Sequence, residues 1–198
     1  RELGVLARAD QAPQRHLAHL EADELRAGER VVLAGVRATL DRDDRVRVAG
    51  RNGAGKTTFL RALVATAGSA RLVVVPQEID QASRLGLLQR LRETPPADRG
   101  RILSLVAALG ADPDRILASR SPSPGEARKL ALADALGRLA HGVVLDEPTN
   151  DLDLPSIERL EDALAAYPGA LLLVTHDDRL ATALTERTWT VEGGRLVA

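Results

Sequence analysis

From Val46 to Thr58 an apolar run feeds a glycine-rich turn that opens into helix-forming sequence, and no other stretch limits the possible folds so sharply. Residues Gly50 to Thr57 fill the pattern G-x-x-x-x-G-K-[ST], the phosphate-binding P-loop. Each part has a chemical reason. Glycines let the backbone wrap so that successive N–H groups point at phosphate oxygens, and the helix that follows presents its positive dipole end to the same anion. Lys56 would reach the β- and γ-phosphates and Thr57 would ligate Mg²⁺. A glycine-rich turn with a surface lysine is the plain alternative. The apolar strand before the loop, and Phe59, Leu60, Leu63 and Val64 on one helix face after it, favour the nucleotide site.

A chain of 198 residues with 44% apolar content has room for one sizeable core, or one domain with two lobes. A formal net charge of −1 gives no electrostatic case for unaided binding to nucleic acid or membrane. Cysteine is absent, which removes disulfides and thiolate metal sites and suits a reducing, cytoplasmic setting. No apolar run approaches the roughly 20 residues needed to span a bilayer. Methionine is missing even at position 1, so a piece of a longer polypeptide is expected. Residues 1–16 read as a helix end or linker, and 17–198 as one domain.

Four short apolar runs, Arg45 to Ala49, Leu72 to Val75, Val143 to Leu145 and Leu171 to Val174, alternate with helix-like sequence. That is how buried parallel strands of an α/β layer read. Between His19 and Leu40, short β-favouring pieces punctuated by Gly28 and Gly35 predict antiparallel strands beside that sheet. Residues 79–140 read as a small inserted helical lobe, with Leu85, Leu88 and Leu91 and then Ile102, Leu105 and Leu109 at helical spacing, broken at Pro95-Pro96 and Gly110 to Pro113. Trp189, Val191, Gly193-Gly194 and Leu196-Val197 predict a terminal hairpin that serves packing. His16 and His19 lie three apart with no third ligand nearby, so solvated side chains are expected there.

The strand Val143 to Leu145 ends in Asp146-Glu147 and is expected beside the P-loop strand. Asp146 can then hold Mg²⁺ through a water, and Glu147 can polarise a water toward the γ-phosphate. His176 follows the last parallel strand, at the edge where open α/β sheets bind ligands. It could contact the γ-phosphate, or sit in a cap between Thr175 and Asp177. Gln77, after Val73 to Pro76, could ligand Mg²⁺ or the attacking water. Ser123-Pro124-Gly125-Glu126 is a helix start with Ser123 as N-cap and Glu126 closing a capping box, and such a tip is also an anion site.

Taken together, Gly50 to Thr57, Gln77, Ser123 to Glu126, Leu145-Asp146-Glu147-Pro148-Thr149-Asn150-Asp151-Leu152-Asp153 and His176 resemble, in order and identity, the ATP-binding cassette (ABC) ATPases over roughly residues 17–198. The resemblance implies a P-loop α/β core with a mostly parallel sheet, an antiparallel β lobe and a helical lobe. It implies ATP and Mg²⁺ as ligands, with Gly50, Asn52, Gly53, Ala54, Gly55, Lys56, Thr57 and Thr58 around the phosphates, Thr57, Gln77 and Asp146 toward the metal, and Glu147, His176, Gln77 and Lys56 in catalysis. It further implies a second cassette closing head to tail, so that Ser123, Gly125 and Glu126 of one body complete the nucleotide site of the other. Glu-Pro-Thr-Asn-x-Leu-Asp, the compact Gly-Glu-Ala-Arg-Lys-Leu-Ala-Leu-Ala and Ser-Ile-Glu-x-Leu-Glu look most like the ABC-F proteins. Those are tandem-cassette ATPases that act on the ribosome and its rRNA, some of them conferring antibiotic resistance, and the C-terminal cassette is the expected match. A transporter subunit working with a membrane permease, or a non-hydrolysing ATP clamp, are the alternatives.

Two departures bear on mechanism. Pro122 and Pro124 stand where the family signature has leucine and glycine, so Pro124 removes one backbone donor while Ser123 and the Gly125 N–H remain. The family's adenine-stacking aromatic falls on Ala27, no aromatic precedes Phe59, and Arg26 is the only nearby substitute, which predicts loose base selectivity. The short stretch from Lys56 to Gln77 suggests a trimmed β lobe.

Overall fold

The computed structural model describes residues 15–68, 71–138 and 140–197. The expected linker over 1–16 falls almost wholly outside them. Strands β1 (His16–Ala27) and β2 (Arg30–Asp41) form a two-stranded antiparallel hairpin. Then come β3 (Arg45–Ala49), α1 (Lys56–Ala65) and β4 (Leu72–Val75). The helical lobe comprises α2 (Gln81–Glu93), α3 (Pro96–Ala108), α4 (Pro113–Ala118) and α5 (Pro124–Gly137). The chain continues through β5 (Gly142–Asp146), α6 (Leu154–Ala165), β6 (Ala170–Val174), α7 (Asp178–Leu184), β7 (Arg187–Glu192) and β8 (Arg195–Val197).

The main sheet has the order β4-β5-β6-β3-β7-β8, parallel except for β8. It is apolar on both faces, and alternation along single strands divides two cores. Val143 and Leu145 of β5, with Leu171 and Leu173 of β6, face the helical lobe and Leu105, Leu130 and Leu136. Val144, Leu172 and Val174 face the opposite way, against Phe59 and Leu63 of α1 and Leu33 and Leu40 of the hairpin. The apolar runs of β5 and β6 therefore became interior strands because helices or a hairpin cover each side.

Three expectations are corrected. The Asp146 strand does not lie beside the P-loop strand: β6 separates β5 from β3. After α1 the chain places β4 at the far edge, and β5 and β6 fill the gap back toward β3. The hairpin strands run 12 residues each and β2 passes through Gly35 unbroken, because Ala34 and Val36 keep their pairing with Glu24 and Ala22. In α2 the packed face carries Leu87, Leu88 and Leu91, whereas Leu85 is exposed. Leu85 and Leu87, two apart, project from opposite sides of a 3.6-residue turn. The helix breaks at Pro95-Pro96 and Gly110 to Pro113, and the terminal hairpin turning at Gly193-Gly194, lie where the sequence puts them.

Candidate active site

Four strand tips meet at the carboxyl edge of the sheet: β3 leads into Gly50, β4 into Pro76-Gln77, β5 ends at Asp146, and β6 leads into Thr175-His176. They surround a cleft of about 520 Å³ whose wall includes Asn52, Gly53, Gly55, Lys56, Thr57, Thr58, Gln77, Asp146, Glu147 and His176. Ala27, Val32, Asn150 and Val174 complete it. Gly50 and Ala54 instead line an adjoining hollow of about 440 Å³ with Arg51 and Thr190, and His176 belongs to both walls.

The loop's shape follows from its glycines. Gly50 has φ 141°, and a Cβ there would stand 2.4 Å from the Val191 carbonyl oxygen, so only glycine lets β3 turn so close to β7. Gly55 caps α1 with no side-chain hydrogen bond, and the first turn carries no acidic residue. The first N–H groups of α1 thus keep their donors for an anion. The Lys56 ammonium folds back on the loop, donating to the Gly50 carbonyl at 2.7 Å and the Arg51 carbonyl at 3.2 Å.

Asp146 is half-buried, and burial pushes its carboxyl above the usual carboxylate range; Lys56, Arg128 and a hydrogen bond with the Thr57 side chain pull the other way. A carboxylate without full solvation, beside a threonine hydroxyl, is a pair of hard oxygen donors that fits Mg²⁺. Glu147, 9% exposed, sits at φ 47°, a left-handed backbone that a non-glycine residue rarely adopts. Its N–H donates to the Val174 carbonyl at 2.9 Å, tying the bend to β6. Its Oε2 accepts from the His176 N–H at 3.4 Å, while Oε1 is buried with no hydrogen-bond partner. The His176 Nε2 lies 3.2 Å from Asn52 Oδ1, within hydrogen-bond distance, and 3.6 Å from Glu147 Oε1, too far for a hydrogen bond. His176 thereby links the P-loop to the end of β6. The cap belongs to Asp177, whose carboxylate accepts from Leu180 N–H, with Thr175 Oγ1 accepting from Asp177 N–H.

Ser123, Gly125 and Glu126 do not join this cleft. They form the first turn of α5 with the full capping box: Ser123 Oγ accepts from the Glu126 N–H, and the Glu126 carboxylate accepts from the Ser123 N–H. That backbone hydrogen bond, outweighing partial burial and helped by Arg115 at 3.2 Å, holds Glu126 below the usual carboxylate range. The Arg26 guanidinium, on the exposed end of β1, donates to Glu24 and to the Glu29 carbonyl. His16 and His19 pair with Asp41 and Thr39, and no cluster of three metal-ligating side chains occurs among the described residues. Sequence reasoning missed Val32, which has no local signal, and Arg128, which is buried in α5.

A sequence profile of the ABC transporter family matches residues 33–150. The chain is 35% identical over 179 residues to the ATP-binding protein Uup of Caulobacter vibrioides, covering 83% of this chain and 28% of that protein. It is 33% identical over 176 residues to the tylosin resistance ATP-binding protein TlrC of Streptomyces fradiae, covering 83% and 32%. The chain therefore spans about a third of the length of these relatives. Among solved structures, an ATP-binding cassette captured as a dimer in a post-hydrolysis state with ADP and Pi superposes with a TM-score of 0.73 at 18% identity, covering 91% of this chain and 97% of that one. No helix among the described residues is long and apolar enough to cross a membrane.

Proposed function

The chain belongs to the ABC transporter family of ATPase domains, its relatives being of the ABC-F type, and from that premise we propose that it binds Mg²⁺-ATP at the four strand tips and hydrolyses it within a two-cassette sandwich. The observation that carries this reading is the meeting of Lys56, Thr57 and Asp146 in one cleft, with the unpartnered Glu147 Oε1 beside them. The amides of the loop and Lys56 would hold the triphosphate, Lys56 exchanging the Gly50 and Arg51 carbonyls for phosphate oxygens. Thr57 and Asp146 would hold Mg²⁺, with Gln77 following the adjacent strand β4; the ion would supply charge neutralisation at the phosphates.

Glu147 would take a proton from the attacking water. The water oxygen bonds to the γ-phosphorus, the bond to the bridging oxygen breaks, and its electron pair leaves with ADP. His176 holds Glu147 and Asn52 in register and can donate to a γ-phosphate oxygen. The Ser123 tip of α5, outside the lining of its own cleft, serves the nucleotide of a partner cassette. In the full two-cassette protein, Glu147→Gln should bind ATP and close while turnover falls by about 10² or more. Undiminished turnover would remove Glu147 from the role of base.

The relatives also support a role for the whole protein on the ribosome, in the manner of ABC-F factors, with the cytoplasm as its site of action. Sedimentation of the full-length Glu147→Gln protein with ribosomes in ATP, and its release in ADP, is the expected behaviour. A second reading, a transporter's ATP-binding subunit, draws on one observation: a cavity of about 210 Å³ between β4 and α2, lined by Val73, Val75, Ile79 and Leu87. Co-purification with a membrane permease, and no ribosome association, would select it.

A further inference from the structure

Arg128 is the largest fully buried side chain among the described residues, 1% exposed, and lies one turn beyond the tip of α5. Its Nη1 donates to the Pro76 carbonyl at 2.7 Å and its Nη2 donates to the Gln77 carbonyl. Its Nε is buried with no partner, and the negative charges of Asp151 and Asp146 act on it. The neighbouring Lys129 points elsewhere, to the Gly110 carbonyl and to Asp153. One cation of α5 is thus spent on the helical lobe and α6, the other on the loop that carries Gln77.

A buried guanidinium is a poor device for stability alone, since apolar residues of similar size often replace buried ions without loss. Its planar fork, however, fixes two acceptors relative to each other, which a single ammonium does not. We propose that Arg128 is a positioning residue: by clamping the Pro76 and Gln77 carbonyls it sets the Gln77 side chain against Asp146, so that both face one metal-nucleotide. This rests on the reading of Gln77 and Asp146 given above. Because Arg128 shares a helix with Ser123, the same clamp makes the tip of α5 and the Gln77 loop move as one unit.

The test is equilibrium binding of ATP to the 198-residue chain, with Mg²⁺ and in EDTA, where the readout is the gain in affinity that Mg²⁺ confers. Arg128→Met should bind ATP in EDTA as the parent does and lose about ten-fold of that gain, the low end for a residue that orients a metal ligand. Arg128→Lys, which keeps the charge without the fork, should lose part of it and covers the case in which Arg128→Met does not fold. With Gln77→Ala already present, Arg128→Met should cost less than about two-fold, because both act through one group. The proposal is overturned if both Arg128 variants keep the whole gain, or if Arg128→Met loses as much with Gln77→Ala as without it. A Gln77→Ala protein that keeps the whole gain would remove the role of Gln77, and the clamp's purpose with it. That outcome is recognised separately because Arg128 need not be altered to see it.

Discussion

Asp146 shows how a single residue trades stability for function. Burial raises its carboxyl pKa in the folded chain, so the folded state holds that proton more tightly than the unfolded state does. The contribution to stability is then fully present below the unfolded value and is lost as pH rises through the raised folded value. Asp146→Asn, an uncharged near-isostere, should melt like the parent at the acid end and above it toward neutrality, in nucleotide-free thermal melts across that range. The same variant should lose the Mg²⁺-dependent gain in ATP affinity. A variant less stable than the parent at neutral pH would mean that the Lys56 and Thr57 contacts outweigh the burial. Gly50 makes the opposite case, a residue whose role is steric. Gly50→Ala must clear the Val191 carbonyl from a left-handed backbone, and should cost on the order of 1–3 kcal/mol in denaturant unfolding. At this scale the sequence was most legible in which residues meet, since Lys56, Asp146 and Glu147, picked out by motif, line one cleft. It was least legible at Arg128, since a charged residue at a helix position reads as solvated until its neighbours are known.

Among the elements, α5 joins a strong local signal to a weakened long-range one. Ser123, Pro124 and Glu126 predict the helix start from sequence alone, and the capping box is complete. Pro124 suits the first helical position, yet it withholds an N–H that the family signature offers to a partner's phosphate. Pro124→Gly should therefore lower the stability of the isolated chain by about 0.5–1 kcal/mol through the freer unfolded state. In the full two-cassette Glu147→Gln protein it should also reduce the ATP concentration needed for closure, read by the shift to the closed form on gel filtration. Loss of stability with no change in closure would assign Pro124 to the helix alone. Strands β4, β5 and β6 were legible as apolar runs, whereas β3 alternates Arg45 and Arg47 with the buried Val46 and Val48. The length of the β1–β2 hairpin was not legible, because beyond Leu20 its outer half leaves Glu21, Asp23, Glu24 and Arg26 exposed on both sides of the strand. Strand order also escaped, since nothing local to Leu171 to Val174 says that it pairs with both β3 and β5.

The whole molecule is built almost without aromatic rings, and this reaches the nucleotide. Phe59 and Trp189 meet edge to face at 5.7 Å beneath the P-loop helix, and the Tyr167 hydroxyl donates to the Ala140 carbonyl inside the core. All three are buried at 3% exposure or less, so the only aromatic residues of the chain are committed to packing. The cleft wall nearest the hairpin offers Ala27 and Val32, which present apolar surface but neither a π-face nor a hydrogen bond that would tell adenine from guanine. Stacking a base on an aromatic ring is worth about 1–3 kcal/mol, so a site without one takes its affinity from the triphosphate and reads the base weakly. Dissociation constants for ATP and GTP should accordingly lie within about ten-fold of each other, and Val32→Tyr should tighten both by several-fold. A wider preference for ATP in competition binding to this chain would show that another group reads the base.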